Sequence, residues 1–211
     1  MSPWLFVALG YLLGSVPSSY LAGRLVRGID LREHGSGNLG ATNTFRVLGA
    51  KVAAPVMIFD VLKGWAPAAL FPLWDRSPLW TWALAYGAAA ILGHVFSLYM
   101  RFRGGKGVAT AAGVFLALAP LAVGGALVVW LLVLALTRMV SAASISSALA
   151  LLAALALSER RPAVLALGGA VALFVIYAHR ANIRRILRGE EYRFGRPRTP
   201  PAPAGQVNSG E

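Results

Sequence analysis

The sequence predicts an all-α protein, a polytopic transmembrane helical bundle of about seven helices. Hydrophobic residues make up 57% of the 211 residues, and the mean hydropathy is +0.65. This is more apolar than a soluble domain of similar size. Charged residues amount to only 13% and fall into short blocks between long uncharged runs. In polytopic membrane proteins such blocks mark the loops between the spans.

Six apolar blocks give the candidate helices in chain order. Because ~20 apolar residues cross a bilayer, five of the blocks fit one crossing each. The remaining block, 108–136, is longer than one crossing needs. Pro120 disrupts a continuous helix there, so we expect a turn near Pro120 and two crossings. No basic residue precedes the first block, so we expect a retained helix and not a cleaved signal peptide. The blocks are residues 3–23, 52–74, 79–100, 108–136, 139–157 and 162–179.

Basic residues predict the orientation of the bundle. The loops 24–51 and 101–107 and the segment after residue 179 are rich in arginine and lysine, which keeps such segments in the cytoplasm. Seven crossings then place the N-terminus outside and the C-terminus in the cytoplasm. Arg160 and Arg161 lie on the outer side in this topology, against the general trend.

Composition also limits the partners and the chemistry. The net charge is +12, and the basic residues lie beside apolar spans. This favours anionic lipid head groups over nucleic acid as the binding partner. The absence of cysteine excludes disulfides, thiol nucleophiles and thiolate metal sites. We expect residues 1–195 to form one membrane domain and the proline-rich residues 196–211 to form a disordered tail. We also expect a monomer that needs no cofactor or metal.

Two glycine-rich loops follow apolar blocks, at Gly35–Asn43 and Arg101–Gly107. Glycine lets backbone N–H groups approach an anion closely, and lysine and arginine supply the opposing charge. The second loop is not a Walker loop, because the required spacing and the Ser or Thr after the lysine are missing. The two loops predict a membrane enzyme that handles phosphorylated, lipid-related substrates.

The predicted topology places four polar clusters on one face of the membrane, where they could close around a shared cleft. Helix N-termini would add N–H groups and positive dipole ends. Each cluster alone also fits a structural role, since small residues pack membrane helices and arginine anchors to head groups. The clusters are Ser36, Asn38, Thr42, Asn43 and Arg46; His94, Ser97, Arg101, Arg103, Gly104, Gly105, Lys106 and Gly107; Arg138, Ser141 and Ser144; and His179, Asn182, Arg185, Gly189 and Glu191.

Asp60 and Lys63 are ionisable residues inside the second apolar block, where charges are costly and are usually paired or functional. Their three-residue spacing puts them on one helical face, and we favour an internal ion pair over a direct role with substrate. His34, His94 and His179 are too scattered for a metal site. A hydrogen-bonded histidine is the default for each of them.

Three segments together resemble a known family, the bacterial acyl-phosphate:glycerol-3-phosphate acyltransferases. The segments are Gly35–Asn43, His94–Thr110 and His179–Glu191, and the resemblance covers essentially residues 1–195. Arg103 stands where the family has lysine, which preserves the charge. The proline-rich tail lies outside the family pattern.

The resemblance implies transfer of a fatty acyl group from acyl phosphate to the sn-1 hydroxyl of glycerol 3-phosphate. The products are lysophosphatidate and phosphate, in bacterial phospholipid synthesis. It also implies a multi-pass protein of the bacterial cytoplasmic (inner) membrane, with its active site at the cytoplasmic face. Its partners are then acyl phosphate, glycerol 3-phosphate and membrane lipids, and the acyl chain lies between helices.

The resemblance also assigns roles to individual residues. Lys106, His179 and Asn182 are the catalytic candidates, with Lys106 compensating the charge of the leaving phosphate. There are two candidate acceptors for the proton of the sn-1 hydroxyl, His179 and the phosphate of the substrate itself. The candidates for binding substrate and phosphate are Ser36, Gly37, Asn38, Thr42, Asn43, Arg46, His94, Ser97, Gly104, Gly105, Gly107, Ser141, Arg185 and Glu191.

A membrane transporter or channel for a phosphorylated solute is the alternative function. Short broken helices with glycine loops and a basic cavity suit the movement of an anion. A transporter usually needs polar groups near the bilayer midplane and often an internal repeat. Here the polar groups crowd one edge, and only Asp60 and Lys63 lie deeper. The sequence therefore favours the enzyme.

Overall fold

The computed structural model describes residues 1–75, 77, 79–159 and 161–195, so the predicted tail 196–211 and Arg160 lie outside the described residues. The described residues form α-helices and one short 3-10 helix joined by turns, which confirms the all-α prediction for this part of the chain. The helices are α1 (Pro3–Ser15), α2 (Ser18–Arg27), α3 (Ala41–Leu48), α4 (Ala50–Leu70), α5 (Pro72–Asp75), α6 (Thr81–Val95), α7 (Val108–Leu118), α8 (Pro120–Thr137), α9 (Val140–Ser158), α10 (Pro162–Ala178) and α11 (Arg180–Leu187), with the 3-10 turn at Leu98–Met100.

Several helical segments in the described part of the chain are long and apolar enough to cross a membrane. There are five, or six if α10 and α11, which are bent by 56° against each other, count as one span. α7 is apolar but shorter, so the predicted seven crossings require α7 to cross as well. The five are Pro3–Arg27, Ala50–Asp75, Thr81–Met100, Pro120–Thr137 and Val140–Ser158.

The expected interruption near Pro120 is confirmed, because α7 ends at Leu118 and α8 begins at Pro120. Proline suits the first position of a helix, where its missing N–H is not needed. Arg161 stabilises the turn between α7 and α8. Its guanidinium donates a hydrogen bond of 2.7 Å to the carbonyl of Leu118, pairs with Glu159 and covers the ring of Trp80. A basic residue at this end of the bundle therefore has a structural partner.

Pro17 separates α1 from α2, and two carbonyl groups at this break accept hydrogen bonds from side chains. The hydroxyl of Ser97 donates to the carbonyl of Ser15 at 2.5 Å, and the ammonium of Lys63 donates to the carbonyl of Val16 at 2.9 Å. In a bilayer such groups have no water to bond, so they must be satisfied within the protein. The broken first span is thereby joined to α4 and to the end of α6.

Glycines allow close contact between α4 and α7 and between α1 and α6. A Cβ atom added to Gly64 would overlap the carbonyl of Thr110, and one added to Gly113 would overlap the carbonyl of Val61. Gly14 on α1 lies equally close to the backbone of α6. Small residues at such crossings let helix backbones approach each other in membranes, where van der Waals packing drives association. The close crossings hold α4 against α7 and α1 against α6.

Gly64→Ala is predicted to destabilise the fold, whereas Gly124→Ala is not. Overpacking a close crossing costs about 1–3 kcal/mol, because neighbouring backbone must move. A Cβ at Gly124 meets no atom within 4 Å, so alanine there is neutral or slightly stabilising. The thermal midpoint of both purified variants in one detergent measures the difference. Equal midpoints would contradict the close α4–α7 crossing.

Candidate functional site

A cavity of about 1380 Å³ lies where the two glycine-rich loops meet the ends of α9 and α11. Its polar end is lined by both loops, by α3, and by the segment that follows α11. The cavity then continues between α7, α8, α9 and α10 with an apolar lining that includes Leu116, Val123, Leu127, Trp130, Leu151 and Val171. A polar end joined to an apolar arm suits a ligand that carries both a charged group and a hydrocarbon chain.

The side-chain amide of Asn43 orders the first glycine-rich loop. Its Oδ1 atom accepts from the backbone N–H of Ser36 at 2.8 Å, and its Nδ2 atom donates to the carbonyls of Leu31 and His34 at 3.1 and 3.0 Å. Gly35, with φ at +67°, leaves room for this amide, because a Cβ there would overlap Asn43 Oδ1. The side-chain amide of Asn43 therefore bonds to backbone groups in and just before this loop, and it shapes the cavity wall.

Asp30 secures the start of the same loop, a role that the sequence analysis did not anticipate. Its carboxylate accepts from the backbone N–H of Arg32 at 2.9 Å and from the guanidinium of Arg32 at 2.6 Å. The hydrogen bond from the Arg32 side chain lowers the pKa of Asp30 from 3.8 to about 2. The carboxylate is therefore charged throughout the neutral range.

The second glycine-rich loop folds back on the end of α6. The N–H groups of Gly104 and Gly105 donate to the carbonyls of Val95 and His94 at 2.9 and 3.1 Å. A Cβ at Gly104 would overlap the His94 carbonyl, which explains why glycine is needed there. Gly107, with φ at +79°, is the residue immediately before α7, so Lys106 lies just outside the N-terminus of this helix.

A hydrogen-bonded network joins Lys106 to α9 and α11. The ammonium of Lys106 donates to Asn182 Oδ1, and Asn182 Nδ2 donates to Glu191 Oε1 at 2.6 Å. Glu191 also accepts from the hydroxyl of Ser141 at 2.8 Å and from Arg185 Nε at 2.7 Å. These five side chains come from four different segments of the chain, and all of them line the cavity.

The surroundings of Lys106 lower the pKa of its ammonium group. Burial is the main cause, and it lowers the pKa of Lys106 from 10.5 to about 8. The carboxylate of Glu191 opposes the decrease, whereas Arg185 and Arg46 add to it. Burial alone would raise the pKa of Glu191, but hydrogen bonds from Asn182, Ser141 and Arg185 lower it overall. Glu191 is therefore an anion that favours the protonated form of Lys106.

His179 is buried at the junction of α10 and α11 and lines the cavity. Its Nδ1 atom lies 2.8 Å from the carbonyl of Val175. Because a carbonyl oxygen can only accept, Nδ1 carries the proton, and Nε2 of the neutral ring is left as an acceptor. In the part of the chain that the structure describes, no three His, Asp or Glu residues cluster as metal ligands.

The segment after α11 covers Arg46, a contact that the sequence analysis missed. The guanidinium of Arg46 lies 4.5 Å from the centre of the Tyr192 ring, a cation–π distance. Phe194 packs on Phe45 with ring centres 4.6 Å apart, and its N–H donates to the carbonyl of Arg138 at 2.8 Å. A single aromatic residue after a polar motif gives no spacing pattern, so the sequence offered no signal for Tyr192.

The structure brings most of the predicted site residues to one cavity, but not all of them. Ser97 is bound to the carbonyl of Ser15 at the break in the first span, and Gly104 and Gly105 pack behind the cavity wall against His94. These three residues do not line the cavity. Those that line it are Ser36, Gly37, Asn38, Thr42, Asn43, Arg46, His94, Lys106, Gly107, Ser141, His179, Asn182, Arg185 and Glu191.

A family model described as glycerol-3-phosphate acyltransferase matches residues 4–189. The chain belongs to the glycerol-3-phosphate acyltransferase family. A glycerol-3-phosphate acyltransferase of Geobacter sulfurreducens is 44% identical over 191 residues, covering 90% of this chain and 96% of that protein. One from Listeria monocytogenes is 49% identical over 185 residues, covering 87% and 92% of the two chains.

Two solved structures of a glycerol 3-phosphate acyltransferase share the fold of this family member. Both are crystal structures of PlsY (YgiH), an integral membrane glycerol 3-phosphate acyltransferase. The glycerol 3-phosphate form has a TM-score of 0.85 at 38% identity and covers 92% of this chain and 96% of its own. The lysphosphatidic acid form has a TM-score of 0.82 at 37% identity and covers 92% and 95%. The acyltransferase family and the integral membrane fold predicted from the sequence are thus confirmed.

Lys106 is predicted to lose its proton as the pH rises through about 8. The chain contains three lysines, so NMR of ¹³C-lysine-labelled protein can follow each side chain, and Lys106→Met identifies the signal. In Glu191→Gln the midpoint should move to lower pH, because the anion that stabilises the ammonium is gone. An upward movement of the midpoint in Glu191→Gln would contradict the described network.

Proposed function

We propose that this chain transfers a fatty acyl group from acyl phosphate to the sn-1 hydroxyl of glycerol 3-phosphate, giving lysophosphatidate and phosphate. The observation that carries the proposal is one cavity whose cationic end continues into an apolar arm between α7, α8, α9 and α10. The glycerol 3-phosphate and lysphosphatidic acid forms of the solved relative are consistent with these substrates. The acyl phosphate donor is our inference from the resemblance and from this cavity.

The donor's phosphate is proposed to bind beside Lys106. The ammonium lies at the N-terminus of α7, where unpaired N–H groups and the helix dipole also favour an anion. Ser36 and Asn38 on the first loop line the same end of the cavity. Because Lys106 remains mostly protonated below its pKa of about 8, it compensates the charge of the leaving phosphate at neutral pH.

Glycerol 3-phosphate is proposed to bind on the side of Arg46 and Ser141. Arg46 is held against Tyr192, and Ser141 is held by Glu191, so both side chains are oriented before a ligand enters. Such preorganisation contributes to catalysis by fixing the hydroxyl relative to the acyl group. Arg185 and Glu191 act here by ordering Asn182 and Ser141.

The reaction needs no covalent enzyme intermediate. The sn-1 oxygen attacks the acyl carbon, the bond from that carbon to the phosphate oxygen breaks, and phosphate leaves with the bonding electrons. The hydroxyl proton goes to His179 Nε2 or to a phosphate oxygen of the substrate. His179 fits the first route, because its Nδ1 atom is engaged by the Val175 carbonyl and its Nε2 atom is an acceptor. His179→Asn distinguishes the routes, since activity survives only if phosphate is the base.

The acyl chain is proposed to lie in the apolar arm and to enter from the bilayer. Leu116 and Leu127 line this arm and remain partly exposed at the surface of the helices, so lipid has access to it. We propose that the protein acts as a monomer in the bacterial inner membrane, with the polar end of the cavity at the cytoplasmic face. The basic residues around that end support this orientation.

The transporter alternative has less support. A path for a phosphorylated solute needs polar groups along its length, whereas the deep part of this cavity is lined by Leu116, Val123 and Leu151. The family to which the chain belongs is described by an acyl transfer activity. Both observations favour the enzyme.

The direct test is phosphate release by purified protein in detergent or lipid, supplied with palmitoyl phosphate and glycerol 3-phosphate. Release that requires both substrates and is matched by lysophosphatidate supports the proposal. Release without glycerol 3-phosphate would indicate a hydrolase that uses the donor site. No release by folded protein would overturn the proposed activity.

Lys106→Ala and Asn182→Ala are each predicted to lower kcat at least about 100-fold, the usual effect of removing one preorganised stabilising group. Lys106 faces the leaving phosphate, and Asn182 holds its ammonium in place. Lys51→Ala is the matched control, because Lys51 is exposed and does not line the cavity. Size-exclusion profiles and thermal midpoints establish that each variant is folded. Activity near that of the wild type in either variant removes the role assigned to that residue.

A further inference from the structure

A buried ion pair lies in α4, beside the second glycine-rich loop. Asp60 is 1% exposed and Lys63 is 3% exposed, and Lys63 Nζ lies 2.7 Å from Asp60 Oδ1. The predicted pairing of these residues is therefore confirmed. Ionisable residues inside a membrane span are paired or functional, because they are expensive to bury. The chemistry proposed above uses neither side chain.

The two partners of the pair have different surroundings. Lys63 donates to the carbonyl of Val16, away from the large cavity. Asp60 lines that cavity, accepts a hydrogen bond of 2.7 Å from the hydroxyl of Ser18, and has its Oδ1 atom 3.7 Å from Nδ1 of His94. His94 also lines the cavity. The same carboxylate oxygen thus contacts the Ser18 hydroxyl and the Lys63 ammonium and lies near an imidazole at the cavity wall.

The opposite edge of the His94 ring meets both glycine-rich loops. A Cβ added to Gly105 would overlap His94 Nε2 and would lie 2.5 Å from the carbonyl oxygen of Leu39. The first loop, the second loop and the imidazole therefore touch at Gly105. Lys106 is the next residue, so a shift of this contact moves the backbone that carries its ammonium.

We propose that Asp60 is a positioning residue that acts through His94 on the Gly105–Lys106 backbone. A carboxylate oxygen 3.7 Å from Nδ1 is too distant for a hydrogen bond, but its charge favours the tautomer with the proton on Nδ1 and the ring orientation that turns this edge toward it. The orientation of the ring then determines where its Nε2 edge contacts Gly105. Lys63 allows the carboxylate to stay charged inside the span. The kinetic consequences of this inference rest on the proposed acyl transfer.

A purely structural pair would behave differently. Replacing both members of a buried ion pair with uncharged residues of similar volume is often neutral for stability, whereas removing one member leaves an unpaired charge. The buried pair of Asp75 and Tyr86 is an internal comparison, since Tyr86 donates to Asp75 and neither residue lines the cavity. Stability and positioning can therefore be measured separately.

The decisive variant is the double substitution D60N/K63M. We expect each single variant to lower the thermal midpoint and the double variant to recover part of the loss, because the carbonyl of Val16 loses the Lys63 ammonium but keeps the N–H of Ser18. We expect kcat of the double variant to remain at least about tenfold below the wild type, because small displacements of catalytic groups have large effects on rate. The KM for glycerol 3-phosphate should stay within about twofold, since the change affects the Lys106 side of the cavity.

Tyr86→Phe is the control that lowers stability and leaves kcat unchanged. A double variant with the midpoint and the kcat of the wild type overturns the inference.

His94→Gln tests the same inference with both charges in place. It should lower kcat at least about tenfold, and adding D60N/K63M to it should cause little further loss, because residues that act as a unit are not additive. Wild-type activity of His94→Gln, or fully additive losses, would show that Asp60 does not act through His94.

A measurement without substrate separates this inference from the proposed function. In ¹⁵N-histidine NMR the wild-type protein should show His94 protonated at Nδ1, and D60N/K63M should shift or broaden that signal. An unchanged His94 signal in D60N/K63M overturns the positioning role. If the wild-type protein transfers no acyl group, the proposed function fails, and the NMR result still decides whether Asp60 orients His94.

Discussion

The carboxylate of Glu191 accepts hydrogen bonds from Ser141, Asn182 and Arg185, and through Asn182 it reaches the ammonium of Lys106. Three parts of the chain that are distant in sequence meet in this network: the second glycine-rich loop, α9, and α11 with the segment that follows it. These polar groups lie at helix ends and in loops, and they satisfy one another by hydrogen bonds. The same bonds that close the bundle therefore orient the groups proposed to bind the substrates.

The two glycine-rich loops serve the site mainly through their backbone. Gly35 makes room for the amide of Asn43, which folds the first loop, and Gly104 lets the second loop lie on the end of α6. Any side chain at Gly104 would collide with the backbone of His94. The loops are thus rigid supports, and the charged contact with a ligand is left to side chains such as Lys106.

Local features of the structure could be predicted from the sequence, and distant contacts could not. The break before Pro120 follows from the geometry of proline, and the gathering of the polar motifs follows from the basic loops and from the family resemblance. The cation–π contact between Arg46 and Tyr192 joins residues far apart in the chain, and no spacing rule connects them. The hydrogen bond from Arg161 to the carbonyl of Leu118 could not be predicted for the same reason.

Direct transfer inside one cavity is the central claim of the proposed mechanism. Both substrates must be bound together, because the polar groups of the site form one connected wall and no enzyme nucleophile is required. Initial rates measured while both substrates are varied test this most directly. We predict double-reciprocal lines that intersect, as a ternary complex requires. Parallel lines, together with acyl-labelled protein after the donor alone, would show a covalent intermediate and contradict the claim.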